Sequence, residues 1–194
     1  MALTLPPPRS SYGTGDHARW YAHELGWATA GTAPVRLPTG LSFDVLDLPA
    51  VAGHAVLRRV GRTGPVALAG RRMWLLVAPG AADEVPELLD WLEWGQIALG
   101  LSVIGAGGHI TAPVPPGAAG GPPGAARWLR PPGPRRAVER TLPAPACFGS
   151  SGGGTPDLVR LVDVVATECH RARLTLARTH LAAGRSADQP WAFS

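Results

Sequence analysis

The order of apolar and polar positions along the chain predicts a mixed succession of helices and short strands. Apolar residues recur at the spacing of one helical face in three segments, which are Asp16–Leu25, Ala50–Val60 and Ala82–Gly95. Gly26 follows the first segment and is placed to end it. Short apolar runs between turn residues are typical of strands. We therefore expect strands, in chain order, at Trp27–Val35, Ser42–Leu48, Gly64–Ala69, Met73–Ala78, Leu99–Ile104, His109–Ala112 and Ala137–Leu142.

Two glycine-containing links predict how these strands are connected. Gly70-Arg71-Arg72 separates two apolar runs and predicts a hairpin turn. Gly105–Gly108 separates the next two runs, and we interpret it as a tight hairpin rather than as a phosphate-binding loop. On the second helix, spacing predicts a buried face formed by Val51, Ala55 and Val56.

The end of the chain predicts one further helix. A hinge-like segment, Ser150–Gly154, precedes Thr155, a suitable N-cap, and Pro156, which suits the first helical position. The alternation of helices with strands favours a mixed α/β domain of packed layers. We divide the chain into a disordered N-terminus (1–14), a layered domain (15–145), a Gly/Ser hinge (146–156), a C-terminal helix (157–183) and a frayed tail (184–194).

Composition is that of a folding chain with many loops. Of 194 residues, 45% are hydrophobic, which is enough for a core, while 25 glycines and 21 prolines predict many turns. No apolar run reaches the ~18 residues that a membrane span needs. The N-terminus lacks the apolar stretch of a signal peptide. We expect a cytoplasmic protein without membrane contact.

The basic and sulfur-containing residues exclude several kinds of catalytic and metal site. All 18 basic residues are arginines, which excludes a P-loop lysine, a Schiff-base lysine and a lysine general base. Cys147 and Cys169 are the two cysteines, and neither has a partner at zinc-site spacing. We interpret them as free thiols of a reducing compartment, with a disulfide as the alternative.

Two acids on one apolar strand are the strongest chemical signal. Asp44 and Asp47 lie within the run Phe43–Pro49, where an unpaired charge would be costly to bury. A divalent cation is the commonest productive explanation. Residues three apart on a regular strand point to opposite faces, so chelation by both acids would need a bulge. His54 and His109 are the candidate additional ligands, with surface histidines as the alternative.

Several segments, in order, resemble the N-terminal domain of bifunctional DNA primase/polymerases, the prim-pol branch of the archaeo-eukaryotic primases. The resemblance covers about residues 16–130. Its pieces are Ala18–Ala22 with Gly26-Trp27, Val45–Pro49 with Gly53, Gly64–Val66 leading to Trp74–Val77, Gly105–Ile110 leading to Ala112-Pro113, and Trp128. The resemblance implies a mostly antiparallel sheet flanked by helices.

The resemblance also implies a two-metal site, and this chain departs from it. In that family an acid-x-acid motif, a histidine on the next strand pair and a later aspartate hold two cations. Asp47 matches the first acid, whereas Pro49 stands at the second. The histidine position falls in Gly70–Trp74, which contains none, and the aspartate position falls in Leu101–Val103, which has no acid.

We therefore expect a catalytically degenerate prim-pol-like domain that binds nucleotide, nucleic acid or a replication-type partner and needs no cofactor. Arg71 and Arg72 are the predicted phosphate contacts, and His109 is a further candidate for nucleotide or phosphate binding. One alternative is an active nucleotidyltransferase, in which Asp44, Asp47 and His54 hold Mg²⁺ or Mn²⁺. The other is an interaction module that binds a protein partner, or a second copy, through residues 157–183.

Overall fold

The computed structural model of the protein describes residues 14–61, 63–118, 124–145 and 157–187. It confirms a mixed α+β fold with antiparallel sheets and a C-terminal helix. The helices are α1 (Thr14–Trp20, continued by a wider turn at Tyr21–Leu25), α2 (Ala50–Arg59), α3 (Ala81–Trp91), α4 (Arg135–Val138) and α5 (Leu158–Ala187). The strands are β1 (Arg36–Pro38), β2 (Asp44–Pro49), β3 (Val66–Ala69), β4 (Arg72–Val77), β5 (Ser102–Ile104), β6 (His109–Thr111) and β7 (Arg127–Arg130).

The centre of the fold is a five-stranded antiparallel sheet in the order β5-β2-β4-β3-β7. The predicted hairpin joins β3 to β4, with Gly70 at a positive φ of 58° in its turn. A second, two-stranded sheet pairs β1 with β6. Strand β2 therefore lies between β5 and β4 and pairs with both.

The two faces of the five-stranded sheet bury different clusters. Alternate β2 side chains, Leu46 and Leu48, pack with α2, α3 and α5 in one cluster. Val45 packs on the other face with aromatic residues that include Tyr21 and Trp27. The sheet is thus covered on both faces, and residues on β2 alternate between a helical core and an aromatic core.

Helix α5 is part of the core. Its first half presents one buried stripe at helical spacing, and Asp157 caps it by accepting a hydrogen bond from the Val159 N–H at 2.9 Å. The buried stripe comprises Leu158, Leu161, Val162, Val165, Ala166 and Cys169. From Arg171 onward the described side chains are mostly exposed, including Leu174 and Leu176.

Helix α2 ends one residue before its predicted end, and of its predicted buried face only Val56 is buried. Its buried residues are Ala52, Gly53 and Val56, while Val51 is 72% exposed. Gly53 sets this orientation, because a Cβ atom built there would lie 2.2 Å from the Met73 sulfur. Only a residue without a side chain lets the helix approach β4 so closely.

Two strand predictions are wrong for identifiable reasons. Ala137–Leu142 alternates in a strand-like manner, yet it forms helical turns because Val138 and Leu142, four residues apart, both enter the aromatic core. Gly105–Gly108 does turn, but it does not join a hairpin, since β5 pairs with β2 and β6 pairs with β1.

Other predicted elements differ from the observed ones in position, and some predictions concern residues outside the described ranges. Residues Trp27–Val35, where a strand was predicted, form no strand apart from a single bridge between Ala30 and Arg36. Trp128 lies on a strand, β7, that the sequence did not predict. The C-terminal helix continues through Ala187. The N-terminal residues 1–13, the hinge at 146–156 with its cap and Cys147, and the tail at 188–194 lie outside the described residues. Among the described residues, no helix combines the length and the apolar character needed to cross a bilayer.

Candidate functional site

Three neighbouring strands bring together the stretches that the prim-pol resemblance singled out. Asp47 on β2 lies directly opposite Ser102 on β5 and Trp74 on β4. Arg72, two residues before Trp74, therefore points to the same face. The first acid thus lies beside one residue from each of the two stretches where the resemblance places the histidine and the later aspartate, and the three present a carboxylate, a guanidinium and a hydroxyl.

Arg72 occupies the centre of this site with directed hydrogen bonds. Its Nε donates to Asp47 Oδ1 at 2.8 Å, and one terminal nitrogen donates to the Asp47 main-chain carbonyl at 2.7 Å. The other terminal nitrogen donates to the Gly100 carbonyl at 2.9 Å. The Ser102 hydroxyl approaches Asp47 Oδ2 only at 3.5 Å, which is a weak contact. The guanidinium is thereby fixed against the one matching carboxylate.

This arrangement does not fit Mg²⁺ or Mn²⁺. Such cations require several converging oxygen or imidazole donors. Here Asp47 supplies one carboxylate, Pro49 has no donor side chain, and the Arg72 guanidinium has no lone pair to offer and repels a cation. Among the described residues, no group of three or more His, Cys, Asp or Glu side chains is placed to hold a metal.

The Asp44 side chain lies on the opposite face of the sheet, which the helices cover. It is 1% exposed, and its Oδ2 accepts a hydrogen bond from the Ala82 N–H at 3.1 Å, in the first turn of α3. A carboxylate there complements the positive end of the helix dipole. Oδ1 has no hydrogen-bond partner among the described residues. The expectation that Asp44 and Asp47 straddle the sheet is confirmed, with no bulge between them.

The two histidines and Arg71 lie apart from the carboxylates. His54 is exposed on α2, and His109 is exposed on β6 of the small sheet, opposite Pro38. Arg71 is exposed in the β3–β4 turn, where its main-chain carbonyl accepts a hydrogen bond from the Ala50 N–H. Of the two predicted phosphate contacts, Arg71 faces solvent and Arg72 is engaged internally.

The aromatic side of the sheet contains a buried tyrosine. The Tyr21 hydroxyl donates to the Pro113 carbonyl at 2.6 Å and accepts from Trp128 Nε1 at 3.0 Å. Burial raises the pKa of Tyr21 well above its ordinary value, and the Trp128 hydrogen bond opposes that rise in part. The hydroxyl stays protonated and joins α1 to β7.

An apolar groove on the helical side was not predicted from the sequence. It has a volume of about 700 Å³ and lies between α2, the β3–β4 turn, residues 98–100 and α5. Cys169 lies at its base. Burial raises the pKa of this thiol to about 12; the nearby Arg72 opposes that rise, and Glu168 adds to it. No signal in the sequence indicates the groove, because helical spacing predicts that Val51 is buried; the fold leaves Val51 and Leu176 exposed on separate helices and places both on the same groove.

Comparisons of the chain with models of protein families, with curated proteins and with solved structures find no match. The resemblance to prim-pol domains therefore stays a prediction.

Proposed function

We propose that this chain is a non-catalytic prim-pol-like domain that acts by binding nucleotide or nucleic acid. One observation carries the proposal: Asp47 lies on one face of three adjacent strands with Arg72, from the Gly70–Trp74 stretch, and Ser102, from the Leu101–Val103 stretch. Such convergence is expected if the chain derives from a domain whose catalytic groups stood in those stretches.

The chemistry of the site supports binding without catalysis. A permanent cation, the Arg72 guanidinium, neutralises Asp47 where the resemblance implies metal ions. Metal-assisted phosphoryl transfer needs cations between the attacking and leaving oxygens, and the residues here do not fit them. The exposed Arg71 offers donors to a phosphate near the same strand.

Primer extension and oligonucleotide binding test the proposal together. With a primed template, deoxynucleotides and either Mg²⁺ or Mn²⁺, we expect no extension product from the wild-type chain. Fluorescence anisotropy with a labelled single-stranded oligonucleotide in EDTA should show salt-sensitive binding. Arg71→Gln should weaken it several-fold, whereas Arg58→Gln, an equal charge change at an exposed α2 position, should weaken it less.

Two results would overturn the proposal. Template-directed synthesis that disappears in Asp47→Ala would restore the active nucleotidyltransferase alternative. An absence of oligonucleotide and nucleotide binding, in protein that is folded by circular dichroism, would remove the binding function and leave the interaction-module alternative.

A further inference from the structure

The groove beside α5 has the dimensions of a small-ligand site. Its volume of about 700 Å³ falls within the ~300–1,000 Å³ typical of pockets that hold small molecules. Four separate parts of the chain form its walls, so its shape depends on the folded core rather than on one loop. Its lining contains neither Asp47 nor Ser102, although it shares Arg71 with the proposed phosphate contact, and binding of a small ligand here does not require nucleic-acid binding.

The lining of the groove is aliphatic. Its apolar surface comes from residues that include Val51, Leu68, Ala98, Leu99, Ala172 and Leu176. Within the described part of the chain, no Trp, Tyr or Phe lines it, so this lining lacks the aromatic platforms on which nucleobases stack. An aliphatic surface of this kind is complementary to an alkyl chain.

The base of the groove is also uncharged. Cys169 is 1% exposed, and with its raised pKa the thiol stays protonated at neutral pH. A protonated, buried cysteine behaves as a small apolar side chain. An alkyl chain that reaches the base would meet no charge there.

The charged residues of the groove are all basic. Arg71 and Arg173 line it from the β3–β4 turn and from α5, both exposed, and His54 lines it from α2. Arg173 is held in place by a hydrogen bond from one terminal nitrogen to the Ala98 carbonyl, which leaves other guanidinium donors for a ligand. No Asp or Glu among the described residues lines the groove.

We propose that this groove binds a single-chain amphiphile with an anionic head group. The alkyl chain lies along the aliphatic walls, and Arg71 and Arg173 pair with the carboxylate or phosphate head. Burial of the chain supplies most of the affinity, because the free energy of transfer out of water grows with the apolar area that is buried. The arginines determine that anionic amphiphiles are preferred over cationic ones.

Calorimetric titration with matched amphiphiles below their micelle concentrations tests the proposal. Dodecanoate and dodecyl phosphate should each bind saturably at one site, and the tighter of the two identifies the head group. Dodecyltrimethylammonium, with the same chain and the opposite charge, should bind at least about tenfold more weakly.

Arginine variants locate the binding site. Arg71→Gln with Arg173→Gln should weaken dodecanoate binding about tenfold. Arg58→Gln with Arg160→Gln changes the net charge equally at exposed positions outside the groove and should leave binding unchanged. Thermal denaturation confirms that both double variants are folded.

Three outcomes would overturn the proposal. Equal binding of the cationic and anionic amphiphiles would reduce the groove to a nonselective apolar patch. An equal effect of the two double variants would place binding elsewhere. An absence of saturable binding, together with a dimer that dissociates in Leu176→Glu, would assign the groove to contact between copies of the chain.

Discussion

At the scale of single residues, the two acids of β2 have separate structural roles. Asp47 pairs with Arg72, and Asp44 caps α3 on the opposite face. The alternation of a regular strand dictates this separation, and the sequence was sufficient to predict it. What the sequence could not predict was the partner of Asp47, since Arg72 becomes its neighbour only through the pairing of β2 with β4.

Tyr21→Phe tests the buried hydroxyl of the aromatic core. At pH 7 we expect a loss of about 1–3 kcal/mol in the free energy of unfolding, because Trp128 Nε1 and the Pro113 carbonyl lose their partner.

The same variant makes a prediction about alkaline pH. The pKa of Tyr21 is raised in the folded state, so the unfolded chain releases this proton first, near pH ~10. The stabilisation is fully present below that pH and is lost as pH rises above it. Denaturant titrations should show a decline that is shallower in the variant by about 1.4 kcal/mol per pH unit. Parallel declines would contradict the burial of an un-ionised hydroxyl.

At the scale of elements, helix α2 shows what periodicity can and cannot determine. Its bounds, Ala50–Arg59, match the expectation to within one residue because Pro49 and the apolar spacing mark its start. Its buried face does not match the prediction. Hydrophobicity led us to place Val51 on that face, whereas the helix packs Gly53 against Met73. A glycine carries no hydrophobic signal, so only the packing of α2 on β4 reveals its role.

Gly53→Ala tests that packing. Alanine favours a helix by about 1 kcal/mol over glycine, yet its Cβ would lie 2.2 Å from the Met73 sulfur and 2.9 Å from the Met73 Cβ. We expect a net destabilisation of about 1–3 kcal/mol from this overpacking.

The matched control is Gly61→Ala, where a Cβ would meet nothing within 4 Å. Its effect on the free energy of unfolding should stay within about 0.5 kcal/mol. If Gly53→Ala were the more stable of the two by urea denaturation, the close approach of α2 to β4 would be disproved.

Strand pairing marks the limit of what the sequence predicts. The β3–β4 hairpin follows from a short turn between two apolar runs, and the fold confirms it. The same reasoning fails at Gly105–Gly108, because β5 and β6 each find a partner that lies far away in sequence. Short strands carry too little pattern to specify a distant partner.

At the scale of the whole molecule, the account rests on the face of the sheet that holds Asp47. Asp47 and one residue from each of two stretches that the same resemblance selected converge there, yet they present no converging set of metal donors. The apolar groove on the helical side depends on α5, whose buried stripe also completes the core. Deletion of α5 would therefore unfold the domain, so point variants are the appropriate tests of both surfaces.

Mn²⁺ binding by a restored site tests whether Asp47 lacks only its partner ligands. Arg72→His with Ser102→Asp places an imidazole and a second carboxylate beside Asp47, which are ligands that Mn²⁺ accepts. Arg71→His with Ser102→Asp is the matched control, since its imidazole lies in the exposed turn.

Calorimetric titration should show no saturable Mn²⁺ binding by the wild-type chain, saturable binding by the restored variant, and none once Asp47→Ala is added. Mn²⁺ binding by the wild-type chain that depends on Asp47, or a folded restored variant that binds no better than its control, would contradict the account.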